Sequence, residues 1–357
     1  EDGIRDLVRS RGLGDVYKRQ LKALVVQSKT GDLSPADPER IRALTRELNP
    51  RIKEYIISQV LHDFGTSGNL EGHMYEGDVP VRNWTSNFNE EMAEALTGST
   101  LSERFLKKTA TCAYCVVACK RIVQIDEGPF ALPEGPGPEY ETVAAFGSLM
   151  DSSDLAAVCK AGRVCNDLGM DTISAGATIA WAMEAYEKGD LTDEETGGIP
   201  LRWGDMETVV HKVLPLMGAR EGRLGKLLSL GSAAAARAVG GDSIEYTAQS
   251  KSLEAPMHDP RAYPSLAATY GAGPRGACHL HGPSMLFEFP DALPQWGLKE
   301  FDPNDKVKGR GKIAEVAAAF AEVVNSMVLC LFQPSYFIMT PDDLADMLNY
   351  ATGAGYT

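Results

Sequence analysis

The sequence has 357 residues, 44% hydrophobic and 24% charged, a balance that suits a soluble globular chain of about two domains and excludes disordered, collagenous and repeat proteins. Its 49 acidic residues outnumber 35 basic ones for a formal charge of −14, and no basic patch overrides this, so nucleic acid is excluded as a partner. The most apolar runs, Ala317–Phe320 and Met327–Phe332, are short and broken by Glu322 and Asn325, far from the roughly 20 apolar residues of a membrane helix.

In chain order, Glu1–Gln20 mixes both charge signs with little apolar periodicity and is expected to be a non-native or disordered leader over 1–20. It lacks the ordered parts of a secretory signal, so the expected location is cytoplasmic. From Leu21 the pattern is helical. The spacing predicts helices over Asp37–Leu48, after a Ser-Pro start, and over Asn89–Leu96. Ser152 or Ser153 is expected to cap a helix to Leu168, with Leu155, Val158, Gly162 and Cys165 at 3,4 spacing and Gly169 as its stop. A further helix is predicted over Thr172–Lys188, ending at Gly189. Gly197–Trp203 and Gly240–Gly241 read as loops. Ile313, Val316, Phe320, Val323, Met327 and Cys330 fall on one helical stripe, and Pro341 opens a last helix through Leu348. Period-two strands are scarce apart from a short one at Arg121–Ile125. The expected fold is mainly α, with two helical domains over 21–245 and 246–357.

Of the seven cysteines, three crowd together as Cys112, Cys115 and Cys119. In a helix or helical turn the C-x2-C-x3-C spacing sends all three sulfurs to one side, three corners of a [4Fe–4S] cubane whose fourth thiolate comes from elsewhere in the chain. The rival readings are core packing by three small side chains and structural zinc, which prefers two paired C-x2-C knuckles that this sequence lacks. Cys159 and Cys165 lie on an amphipathic helix and read as core. Residue pattern alone leaves Cys278 and Cys330 open as the fourth ligand.

Six segments carry a wider signal: Phe64–Gly68 (FGTSG), Val79–Trp84 (VPVRNW), Cys112–Cys119 (CAYCVVAC), Gly137–Thr142 (GPEYET), Asn166–Ser174 (NDLGMDTIS) and Pro274–His279 (PRGACH). In this order and spacing the chain, over Leu61–Thr357, resembles the tungsten-containing aldehyde:ferredoxin oxidoreductase family. The resemblance implies the two helical domains that follow a β-rich N-terminal domain in that family, here missing. It implies a [4Fe–4S] cluster on Cys112, Cys115, Cys119 and Cys330, with Cys278 as the alternative. It further implies tungsten, or molybdenum, held by two pterins shared with the missing domain.

By the same resemblance the first pterin motif, D-x-x-G-L-D in the family, is Asn166 to Asp171, with Gly169, Met170 and Asp171 as contacts. The second, D-x-x-G-L-C, is Asn325 to Cys330, with Asn325 and Leu329 as contacts. Asn166 and Asn325 replace carboxylates that accept from a pterin's donor edge. Val328 replaces a glycine, and a β-branched residue resists positive φ and close approach by a ligand.

Glu139 and Glu141 flank Tyr140 after a Pro/Gly-rich loop, so a regular strand is not expected and one of the two is expected to face solvent. The resemblance implies a Glu of this segment at the tungsten pocket, where burial lifts its pKa toward neutrality; Glu141 is preferred to Glu139. It also implies a His near the substrate carbonyl, and His279 is preferred to His281. His258 lies in a Pro-rich loop without an assigned role. The basic pair Lys120 and Arg121 can offset cluster charge, but reads first as a solvated face.

The implied function is oxidation of an aldehyde to a carboxylate with a ferredoxin-like acceptor, in a family whose members are often homodimers. Without the missing domain the fragment itself is expected to be inactive. The alternatives are a non-catalytic or decayed iron–sulfur electron-transfer module and an aromatic acyl thioester reductase subunit of the same family.

Overall fold

A computed structural model describes residues 34–288, 290–334 and 338–356. The expected leader at 1–20, and the start of the first expected helical domain, lie outside the described residues.

Helix α1 (Pro38–Glu54) starts where the Asp37 carboxylate accepts from Arg40 N, and it runs six residues beyond the expected Leu48. It is followed by α2 (Ile56–Phe64), α3 (Leu70–Tyr75), α4 (Glu90–Ala95) and α5 (Gly98–Phe105). A three-stranded antiparallel sheet comes next, β1 (Leu106–Ala110), β2 (Lys120–Ile125) and β3 (Leu132–Pro136), with β2 in the middle. The register sets Thr109 opposite Arg121 and Val123 opposite Gly135. The one strand legible in the sequence is therefore the central one. Its neighbours, Leu-Lys-Lys-Thr-Ala and Leu-Pro-Glu-Gly-Pro, are polar or proline-bearing edges that only pairing makes extended.

The centre of the molecule is built by α6 (Tyr140–Phe146), α7 (Leu155–Leu168) and α8 (Thr172–Lys188). All of α8 from Ser174 to Ala185 is buried, so this helix has no polar face to read. A Cβ added at Gly176 would lie 2.8 Å from both the Cβ and the carbonyl oxygen of Ala145, so α6 and α8 meet nearly backbone to backbone. The cap of α7 is Asp154, not Ser152 or Ser153: its carboxylate accepts from Ala156 N and Ala157 N, two bonds strengthened by charge at the positive helix end.

Around α8 lie α9 (Leu214–Ala219), α10 (Gly222–Leu228) and α11 (Ser232–Val239). Farther on, α12 (Ser265–Ala272) packs against α13 (Arg310–Ser326), and α14 (Pro341–Thr352) returns to α1. The buried stripe of α13 is Ile313, Ala317, Phe320 and Val324. Val323, expected in that stripe, is 45% exposed, because the buried stripe steps four residues from Ile313 to Ala317 and from Phe320 to Val324. The helix stops at Ser326, so Cys330 lies beyond it in a turn. A small core joins the two ends of the described residues: Leu48, Ile52 and Leu61 meet Val117 and the Ile338–Leu344 region.

Helices α7 and α13 end in the same way. Gly169 (φ 68°) donates to Asn166 O at 3.3 Å and Met170 N to Cys165 O at 2.8 Å; Val328 (φ 58°) donates to Asn325 O at 3.1 Å and Leu329 N to Val324 O at 3.0 Å. Both are left-handed helix stops of the Schellman type. The second places a β-branched residue where glycine is favoured, at a cost of about 1–2 kcal/mol. Replacing Val328 by Gly is expected to raise unfolding stability by about 1 kcal/mol, read from the midpoint of a denaturant titration.

Candidate functional site

The three clustered cysteines lie in the long loop between β1 and β2, not in a helix or helical turn. Tyr114 (φ 61°) and Ala118 (φ 57°) are left-handed and reverse the chain twice. Thr111 Oγ1 lies 3.0 and 3.1 Å from the carbonyls of Cys112 and Cys115, and Val117 N donates to Cys115 Sγ at 3.4 Å.

Arg121 anchors this loop. Lys120 is exposed, but Arg121 is buried, contrary to the solvated-face reading of the pair. Its guanidinium donates to the carbonyls of His62 (2.5 Å), Asp63 (2.8 Å), Ala118 (3.2 Å) and Cys119 (3.3 Å). Gly65 allows this approach: at φ 74° it stops α2, and an added Cβ would lie 3.1 Å from Arg121 Cγ. A planar fork of five donors can hold four carbonyls at once; an ammonium has only three N–H groups.

Cys330 comes to the same place. Burial pushes the Cys119 thiol up to about 11, and Glu139, Cys330 and Cys115 add to the shift. The Cys330 thiol is likewise raised by burial, with further contributions from Cys115 and Cys112. Cys330 thus shares one electrostatic neighbourhood with the loop cysteines. Cys278 is buried elsewhere and its charge bears on Tyr270. Cys159 and Cys165 are core residues of α7, as their pattern suggests.

A second cluster forms around the start of α6. Glu139 and Glu141 do not flank a strand: Glu139 is the residue before the helix, Tyr140 and Glu141 its first two residues. Glu139 is exposed and accepts from Thr66 Oγ1 at 2.6 Å, on the cysteine side. Glu141 turns inward. Its Oε2 accepts from Met257 N at 2.8 Å, while its Oε1 is occluded and has no hydrogen-bond partner. Around Oε1 stand His279 Nε2 at 3.5 Å and His258 Nε2 at 3.8 Å. The three atoms lie within 4.8 Å of one another. These separations exceed both a direct hydrogen bond and the roughly 3.3 Å between nitrogen donors sharing a tetrahedral ion, and leave room for a small oxygenated molecule. His281 points away toward Glu322 of α13, 3.7 Å distant, and does not join His279.

Behind His258 sits Asp78, whose side chain is 0% exposed. Its Oδ2 is 2.6 Å from His258 Nδ1 and 3.3 Å from His73 Nδ1, and its Oδ1 accepts from Asp259 N at 3.0 Å. Burial opposes the charge of Asp78, yet the two imidazoles outweigh it and hold the acid at about 2. Burial also opposes a charge on His73, but Asp78 and Glu76 raise it to about 9. The His258 ring stacks on Tyr140 at 4.6 Å, and Tyr140 OH donates to Met257 O at 2.7 Å. Burial lifts Glu141 to about 7, against the pull of His258 and the Met257 amide; Asp78 and Asp171 add to the rise.

The two helix stops described above flank these groups. Asp171 caps α8 by accepting from Ser174 N at 2.8 Å, and the hydroxyls of Thr142 and Thr172 are 2.9 Å apart, so the first stop abuts α6. Asn166 and Gly169 are exposed and Met170 is buried. At the second stop Asn325 is exposed, Leu329 packs between two hydrophobic clusters, and Val328 is 90% exposed.

A sequence model described as aldehyde ferredoxin oxidoreductase, domains 2 and 3, matches residues 43–357. The chain belongs to this oxidoreductase family. The tungsten-containing aldehyde ferredoxin oxidoreductase of Pyrococcus furiosus is 32% identical over 361 residues, covering 100% of this chain and 56% of that protein. Its counterpart in Thermococcus kodakarensis is 32% identical over 356 residues, with 99% and 56% covered. Among solved structures, the active site complex BamBC of benzoyl coenzyme A reductase with 1,5-dienoyl-CoA has a TM-score of 0.69 at 17% identity, covering 91% of this chain and 55% of that one. That likeness is one of fold. The chain spans about half the length of the curated relatives it matches.

Within the family frame, Asp78 and His73 are site residues that sequence reasoning missed, and His258 was seen without a partner. No local pattern marks them, because Asp78 and His258 are separated by 180 positions. Two outcomes test the geometry. The Arg121→Lys variant is expected to lose about 2 kcal/mol of stability in denaturant unfolding, since one ammonium cannot replace four carbonyl contacts. For Glu141, whose folded value near 7 lies above its ordinary 4.5, stability contributed by the neutral acid is present below about pH 4.5 and lost as pH rises through 7. The stability difference between Glu141→Gln and the unmodified chain should therefore shift by about 3 kcal/mol in favour of Gln over that window.

Proposed function

We propose that the chain is the cluster-bearing and proton-handling part of a tungsten-pterin aldehyde oxidoreductase, and the convergence of Cys330 on the Cys112–Cys119 loop is the observation that carries this reading. Four neighbouring thiols, one of them receiving a backbone N–H, form a donor set that fits a [4Fe–4S] cage. Two left-handed helix stops with exposed outer edges fit a flat ligand such as a pterin pair, and Val328 narrows the second. When bound, the tungsten centre would supply the two-electron step and the iron cage single-electron passage to a ferredoxin-like acceptor.

The polypeptide's part is proton handling and positioning. Oxidation of an aldehyde to an acid by water releases two electrons and two protons. Glu141, with Oε1 unpartnered and its acid constant near 7, takes a proton from water as that oxygen bonds to carbon. His279 Nε2, on the other side of Oε1, donates to the substrate carbonyl oxygen. Glu139 and His281 have no part in this step in the present geometry. Seven free cysteines, and no helix among the described residues long and apolar enough to cross a membrane, accord with a reducing cytoplasm.

The exposed Val328 side chain favours one second reading, an iron–sulfur module that has lost its pterin. Metal analysis of the full-length protein separates the two: tungsten or molybdenum beside iron supports the first, iron alone the second. On the chain itself, anaerobic reconstitution with iron and sulfide should give about four irons, read by metal content and electron paramagnetic resonance. Cys330→Ser should abolish the cluster signal and Cys278→Ser should retain it; the reverse pattern would overturn the ligand assignment.

A further inference from the structure

Glu141 has a proton acceptor whose chemistry is set from behind. Asp78 Oδ2 stands 2.6 Å from His258 Nδ1 in a place with no solvent, and its other oxygen is taken by Asp259 N. A carboxylate only accepts, so His258 must present Nδ1–H to it, which leaves Nε2 of the neutral ring as a lone pair. That lone pair faces Glu141 Oε1. The stacked Tyr140 ring, the Tyr270 hydroxyl that donates to His258 O at 3.0 Å and the ring of His279 at 5.3 Å keep the imidazole in this plane.

We propose that Asp78 is a positioning residue that fixes His258 in its Nδ1–H tautomer, so that His258 Nε2 receives the proton from Glu141 Oε1 and returns Glu141 to its carboxylate form. In this step the Oε1–H bond breaks, the Nε2–H bond forms and no electrons move. The gap of 3.8 Å closes by a small rotation of either side chain or through one water. Asp78 then faces an imidazolium, and the ion pair is already solvated by the Asp259 amide. The charged and titratable groups around the pair come from several segments: His73 and Glu76 from α3 and the residue after it, Tyr140 from α6, Asp171 ahead of α8, Tyr270 from α12, and Cys278 and His279. The proposal rests on Glu141 being the group that handles the substrate's proton.

Nitrogen-15 NMR of histidine-labelled chain reads the tautomer of His258 without any turnover. The expected result is Nδ1 protonated and Nε2 bare in the neutral ring; a neutral ring with the proton on Nε2 overturns the proposal, and this arm needs no variant. In Asp78→Asn the amide can donate to Nδ1, so the proton should move to Nε2. An unchanged tautomer in a folded variant also overturns the proposal. In the full-length enzyme, Asp78→Asn should lower kcat by about a hundredfold with KM little changed and displace the pH profile. A loss confined to KM would contradict it. Full aldehyde oxidation by Glu141→Gln would instead sink the underlying role of Glu141 while leaving the tautomer result standing.

Discussion

Asp78 is the constraint around which the pocket is organised. A carboxylate with no exposure is tolerable only if nearly every lone pair is met by a donor. Its donors come from His258 and the backbone of Asp259, with His73 3.3 Å away, so satisfying one buried acid draws the Pro-rich loop at 256–260 against the α3 region. Once that loop is in place, its Met257 backbone binds both Tyr140 OH and Glu141 Oε2, fixing the start of α6. The polar network thus sets the position of Glu141 Oε1, the carboxylate oxygen it leaves unmet and the one to which the proposed proton transfer is assigned.

The same economy of backbone groups ties the cysteine loop to the pocket. Arg121 fastens that loop to the carbonyls at the end of α2, and the residues that follow, Gly65 and Thr66, run straight to the pocket, where Thr66 Oγ1 accepts from Tyr140 N at 2.8 Å. Close contact explains the glycines here: a Cβ at Gly98 would come within 2.3 Å of Phe64 O. A stretch that looks like a generic glycine turn is a closely packed spacer between the cysteine loop and the Glu141 pocket.

Helix punctuation was largely legible in the sequence. Asn89, Gly169, Gly189 and the Thr172–Lys188 helix lie where turn chemistry and periodicity put them. The edge strands were not, because Lys107 and Lys108 or Pro133 and Pro136 carry no β preference of their own. The ranking of Glu141 over Glu139, and of His279 over His281, came from resemblance; their differing surroundings follow from long-range packing against His258 and Glu322, which no window of sequence contains. Val328 was legible as a conflict with local rules, and its left-handed backbone shows the conflict met by the fold and not avoided.

The place of Cys330 bears on how the protein is made. Cys112, Cys115 and Cys119 leave the ribosome about two hundred residues ahead of Cys330, whose neighbour Leu329 packs on the small core that also joins α1 to the Ile338–Leu344 region. In the proposed ligand set, a prosthetic group bridging all four sulfurs can be sealed in only after Cys330 has emerged. Until then the early loop is an open thiol triad, dependent on delivery machinery or a reducing milieu to escape oxidation during translation.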